Sequence, residues 1–150
     1  MTLRASLDSP LGPMTVVETA GQISALDWRA GGVDHSPLLD EAIAQLRAYF
    51  DRRLTAFDLP LDYGHGFQEQ VCRAMAAIPY GETLRYGDLA REIGAPAQAI
   101  GQACGANPVP ILIPCHRVLA ANGLGGFSAK GGVESKVFLL RLEGAASLLL

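Results

Sequence analysis

Cys115, His116 and Arg117 stand together directly behind Pro114, in the stretch ILIPCHRVLA at 111–120. A thiol, an imidazole and a guanidinium in succession suggest nucleophilic chemistry. The thiolate is the reactive form of cysteine, and nearby cations depress the thiol pKa. A histidine within reach activates the nucleophile by taking its proton. The aliphatic residues on either side read differently. Ile111–Pro114 has the pattern of a buried strand, and Val118 and Leu119 resume it. The other two cysteines carry less information: Cys72 lies on the apolar side of a helical pattern and Cys104 sits among alanines and glycines, so both read as small packing residues.

The elements that must position Cys115 follow from periodicity and breakers. Residues 3–32 alternate like a three-stranded meander, with SPLG and AG as turn signals. Ser36–Pro37 is a helix start, followed by Leu39, Ala42, Ile43, Leu46 and Phe50 at helical spacing. The segment DRRLTAFDLPLDYGHG is a loop, and a soft boundary falls near residue 64. Beyond it, Phe67, Val71, Met75 and Ile78 mark the apolar face of a helix that ends at Pro79 and Gly81. YGDLAREIG is a short helix closed by Gly94, and Pro96 opens another, PAQAIGQACG. Two short helices joined this way form a helix-turn-helix pattern. NPVP is a turn, and VESKVFLLRLEG is a final helix with a glycine stop.

Composition narrows the class. The chain has 150 residues, three cysteines, three histidines and a formal charge of −3. Residues 1–64 hold five basic and nine acidic side chains; residues 65–150 hold seven and six. The second half is the better partner for a polyanion. The cysteine and histidine spacings match no zinc-binding pattern, so neither a metal nor another cofactor is expected. No apolar run approaches a membrane span, and the N-terminus has no leader pattern. With an odd thiol count, this points to a cytoplasmic protein that does not engage a membrane.

Over a longer span, NPVPILIPCHRV at 107–118 resembles the active-site signature of the O6-alkylguanine-DNA alkyltransferases. FQEQVCRAMAAIPYGETLRYGDLAREIG resembles the helix, turn and first helix-turn-helix element of that family. GLGGFSAKGGVESKVFLLRLEG resembles its C-terminal loop and helix. The likeness runs from about Gly64 to Gly144 and more faintly over SPLGPMTVVET and the first helix.

The resemblance implies an α+β fold. A small antiparallel-sheet, ribonuclease H-like subdomain (1–64) would precede a mostly helical DNA-binding and alkyl-acceptor domain (65–150). It implies irreversible, stoichiometric transfer of an alkyl group from O6-alkylguanine to Cys115, with O4-alkylthymine as a second candidate substrate. The target nucleotide must first be flipped from the duplex. His116 would take the thiol proton through a water, Glu143 would orient His116, and Asn107 would hold the turn beneath the active-site strand. Tyr86 would help rotate the phosphate and protonate the departing guanine. Ser128 and the backbone around Val118 would line the base pocket. The helix carrying Ala97, Gln98, Ala99 and Gln102 would lie in the minor groove of double-stranded DNA, with the protein acting as a monomer.

Phe127 stands where the family often has a tyrosine, and two further departures from its pattern matter more. Gln98 stands where an arginine usually fills the stack left by the flipped base. Arg85 stands where a small polar N-cap usually precedes the tyrosine, and its charge is placed to meet a backbone phosphate. Each role has a plainer alternative: Glu143 as a helix-end carboxylate, Tyr86 as a half-buried helix tyrosine, Arg85 as a solvated cation, Asn107 as a turn former. Three other functions remain distinguishable. A non-enzymatic damage binder would lack the acceptor cysteine. A Cys-His hydrolase would turn over. A helix-turn-helix regulator would present a more polar reading helix than 96–105.

Overall fold

The structure, a computed structural model, describes residues 1–127 and 131–145. Two compact units divide the chain, residues 1–62 and 63–150. The first opens with strands β1 (Thr2–Ser9), β2 (Gly12–Thr19) and β3 (Gln22–Asp27), an antiparallel sheet in the order β1-β2-β3. This is the expected meander. Helix α1 (Pro37–Phe50) begins where Ser36 accepts a hydrogen bond from the Leu39 amide at 2.9 Å, with Pro37 at the first position. Leu39, Ala42, Leu46 and Tyr49 are its buried stripe. They share the core of this unit with Met14, Val16, Ile23 and Leu26. Tyr49 closes the stripe, while Ile43 and Phe50, expected on it, are half-buried.

The second unit holds α2 (Gly66–Ala76), β4 (Leu84–Arg85), α3 (Tyr86–Ile93), α4 (Ala97–Gly105), a single 3₁₀ turn (Cys115–Arg117), β5 (Val118–Leu119) and α5 (Val133–Leu142). Val71, Cys72 and Met75 bury one face of α2. Phe67, expected on that face, is 37% exposed; it lies in the first turn, before the helix enters the core. Helices α3 and α4 form the helix-turn-helix. Gly94 ends α3 at φ 81°, a left-handed conformation that a side chain would strain, and its amide bonds the Ala90 carbonyl at 2.8 Å.

The strand expected at 111–114 does not form. Pro110 and Pro114 have no amide proton to give a ladder, and Ile111 sits at φ 71°. The backbone bonds itself instead: Ile113 N to Val109 O at 2.9 Å and Cys115 N to Ile113 O at 2.8 Å. The aliphatic side chains are nevertheless buried, as their types require. Val118 and Leu119 are a strand, paired in parallel with Leu84 and Arg85. That two-residue ladder brings Tyr86, the first residue of α3, beside the segment that carries Cys115.

Candidate active site

Cys115 lies on the 3₁₀ turn and is 7% exposed. It lines a cavity of about 440 Å³ together with Tyr86, Gly101, Cys104, Gly105, Gly126 and Phe127. Helices α3 and α4 supply one wall and the loop before α5 the other. Gly125, at φ 74°, lets that loop approach closely: a Cβ there would stand 3.2 Å from the Tyr86 ring.

Behind the thiol is a buried polar network. His116 and Glu143 are both fully buried, with Nε2 and Oε2 2.7 Å apart. Glu143 also receives Arg117, Nε to Oε1 at 2.8 Å and Nη2 to Oε2 at 3.0 Å. A carboxylate held this way makes Nε2 of a neutral imidazole the protonated nitrogen. Nδ1 then carries the lone pair, and it is a buried polar atom with no hydrogen-bond partner. Burial outweighs the pull of Glu143 and sets the imidazole below its ordinary pKa of 6.5. The ring therefore rests neutral, as a proton acceptor must.

The thiol itself is not activated at rest. Burial pushes the Cys115 pKa up, opposed by a hydrogen bond from Asn107 and by the charge of Lys136. The expected depression by His116 and Arg117 does not occur, because their donors are turned away. Arg117 bonds Glu143 and, through Nη1, the Ile78 carbonyl at 2.7 Å. Asn107 spans the turn before the thiol: Nδ2 donates to Ile113 O at 2.8 Å, and Oδ1 accepts from Val109 N at 3.0 Å. Tyr86 is half-buried; burial first, then the two neighbouring cysteines, raise its pKa and keep the phenol protonated.

The remaining expected site residues fall in three places. Ala97, Gln98 and Gln102 are exposed on α4, Ala99 is half-buried, and Ile100, Ala103 and Cys104 are packed inward. Arg85 is exposed and caps α3 through its amide, which bonds Asp88 at 2.8 Å; its guanidinium donates to the Ala121 carbonyl. Val118 is buried and outside the cavity wall, since its carbonyl is taken by Lys136 Nζ at 2.7 Å. Ser128 lies outside the described residues.

Three participants were not anticipated in these roles. Arg117 secures Glu143. Lys136, fully buried and with its pKa lowered by burial to about 8, ties Val118 and Gly126 to α5. Cys104 packs as expected but also faces the cavity. A signal for Lys136 was available: 136, 139, 140 and 143 form one helical stripe, which puts this lysine in line with Leu139 and Leu140. Among the described residues, no cluster of histidine, cysteine or acidic side chains is arranged to hold a metal.

Known proteins share this arrangement of chain. Residues 2–63 match the family described as 6-O-methylguanine DNA methyltransferase, ribonuclease-like domain, and residues 66–145 match its DNA binding domain. The methylated-DNA–protein-cysteine methyltransferase of Mycobacterium leprae is 41% identical, with 92% of this chain and 90% of that protein aligned. The constitutive enzyme of the same name from Bacillus subtilis is 36% identical over 95% and 96%. The crystal structure of the Mycobacterium tuberculosis O6-methylguanine methyltransferase superposes with a TM-score of 0.85 at 38% identity, covering 100% of this chain and 97% of that one. Since both units are matched, and in the same order, the chain belongs to the 6-O-methylguanine DNA methyltransferase family.

Proposed function

We propose that this protein reverses alkylation damage in DNA by moving the alkyl group from O6-alkylguanine to Cys115, once per molecule. The observation that carries the reading is the buried acceptor thiol on a cavity wall, with a neutral His116 whose Nδ1 lacks a partner and whose Nε2 is held by Glu143. In the reaction His116 takes the thiol proton through a water, and Sγ attacks the alkyl carbon. The carbon–O6 bond breaks as the new carbon–sulfur bond forms, and Tyr86 gives a proton to the guanine. The thioether has no route back to a thiol, so the protein is consumed.

DNA binding is supported by the family and by a Mycobacterium tuberculosis relative solved in complex with DNA, 40% identical with a TM-score of 0.79 over 93% of this chain and 91% of that one. We assign the contact to the second unit, with the small and uncharged outer face of α4 (Ala97, Gln98, Gln102) in the minor groove of double-stranded DNA. There shape matters more than base sequence. A monomer in the cytoplasm suffices for this role. Among the described residues no helix is long and apolar enough to cross a membrane.

Intact mass after incubation with duplex DNA containing O6-methylguanine tests the assignment. The protein gains one methyl group, on the peptide holding Cys115, and Cys115→Ala gains none. Label on Cys72 or Cys104, or multiple turnovers as a Cys-His hydrolase would show, refutes it. A second measurement concerns flipping. Gln98 is shorter than arginine and uncharged, so it fills the vacated stack only partly. Reactivity falls with the population of the flipped state. Gln98→Arg is therefore expected to speed repair in duplex DNA more than reaction with free O6-benzylguanine. Equal acceleration of both substrates, or of neither, removes position 98 from flipping.

A further inference from the structure

The cavity holds a second thiol. Cys104, from the last turn of α4, and Cys115, from the 3₁₀ turn, line the same space at 5% and 7% exposure. Cys72 is fully buried, takes a hydrogen bond from Gln68 Nε2 at 3.4 Å, and is not part of the cavity wall. A small hydroperoxide entering the cavity thus meets two cysteines.

We propose that Cys104 and Cys115 are an oxidation site, in which a hydroperoxide converts the pair to a disulfide and closes the alkyl acceptor reversibly. The Cys115 sulfur attacks the peroxide oxygen; the O–O bond breaks, an alcohol or water departs, and Cys115 becomes a sulfenic acid. The Cys104 sulfur then attacks the Cys115 sulfur. The S–O bond breaks, and the sulfenic oxygen leaves as water with the Cys104 proton. Two thiols are oxidised and one peroxide is reduced. The order follows from the surroundings. Burial raises the pKa of both thiols, that of Cys104 to about 12, and the Lys136 charge opposes it at both; Cys115 reacts first because its sulfur also takes a hydrogen bond from the Asn107 side chain. The disulfide would protect Cys115 from the irreversible sulfinic stage. The inference rests on the cavity, and its readout is independent of alkyl transfer.

The test exposes the whole protein to hydrogen peroxide, unfolds it in denaturant with N-ethylmaleimide to block every free thiol, and digests with trypsin without reductant. Residues 92–117 form a single tryptic peptide that contains both cysteines. It is expected without maleimide and lighter by two hydrogen atoms, while the peptide with Cys72 carries the label. Dithiothreitol should restore both thiols. In Cys104→Ser the same exposure should carry Cys115 to the sulfinic acid, which dithiothreitol does not reduce, lowering thiol recovery by about tenfold or more. Linkage of Cys115 to Cys72, an unlinked 92–117 peptide, or equal recovery in the two proteins overturns the proposal. If the variant does not fold, the parent peptide map decides alone. A linked pair in a protein that transfers no alkyl group would leave this site standing and overturn the repair function.

Discussion

His116→Ala is expected to slow alkylation of Cys115 by about 10²–10⁴-fold, the usual contribution of an acid–base partner. Affinity for unmodified duplex should stay nearly unchanged, because this side chain is buried beneath the cavity and away from the outer face of α4. The physical reason is the resting state of the thiol: burial raises its pKa, so an acceptor has to remove the proton. Glu143→Gln should fall in the same direction, since an amide cannot stabilise the imidazolium that forms. Single-turnover rates on duplex DNA and a binding titration separate chemistry from affinity. Parent-like rates in both variants would eliminate the relay. The pH profile supplies an independent check. The folded His116 pKa lies below 6.5, so the rate should hold to a lower pH than an unperturbed imidazole allows before it drops. Stability carries the same signature. Below 6.5 the unfolded chain binds a proton that folded His116 resists, so this group lowers stability as pH falls through that region.

Arg117→Met should destabilise the second unit by about 3–5 kcal/mol, the scale for removing one partner of a buried ion pair. Glu143 is fully buried and takes two of its hydrogen bonds from this guanidinium, while Arg117 also bonds the Ile78 carbonyl and packs over the Tyr80 ring at 5.8 Å. Loss of the cation leaves an under-paired buried carboxylate and takes a donor from the Ile78 carbonyl. Arg117→Met combined with Glu143→Met should lose less than the two single changes added together, because the pair fails as a unit. Denaturant titration of the four proteins measures this coupling. Simple additivity would mean that the buried pair contributes nothing beyond its separate side chains.

Much of the site is local chemistry and was readable in the chain. Gly94 and Pro96 punctuate α3 and α4 whatever surrounds them, and Ser36–Pro37 starts α1, because caps and fixed φ angles act over a few residues. The alternation in 3–27 needs only neighbouring strands to become a sheet. Cys115 was identifiable from its flanking signature, and Gln98 and Gln102 share the exposed face that their spacing of four requires.

What the residues 107–117 actually do was decided elsewhere. Apolar content showed that Ile111 and Ile113 are buried, but not that two prolines and an asparagine bond would fold them as a turn, since a strand depends on a partner distant in sequence. Adjacency placed Arg117 next to the thiol, yet its direction is set by a carboxylate 26 residues away. The same holds for Lys136, whose charge is buried against carbonyls of Val118 and Gly126, and for Cys104, which lines the cavity through the packing of α4 on α2 and α3. Periodicity and breakers are properties of a short segment. The direction of a charged side chain and the neighbours of a thiol are properties of packing, and packing brings together residues that the sequence keeps apart.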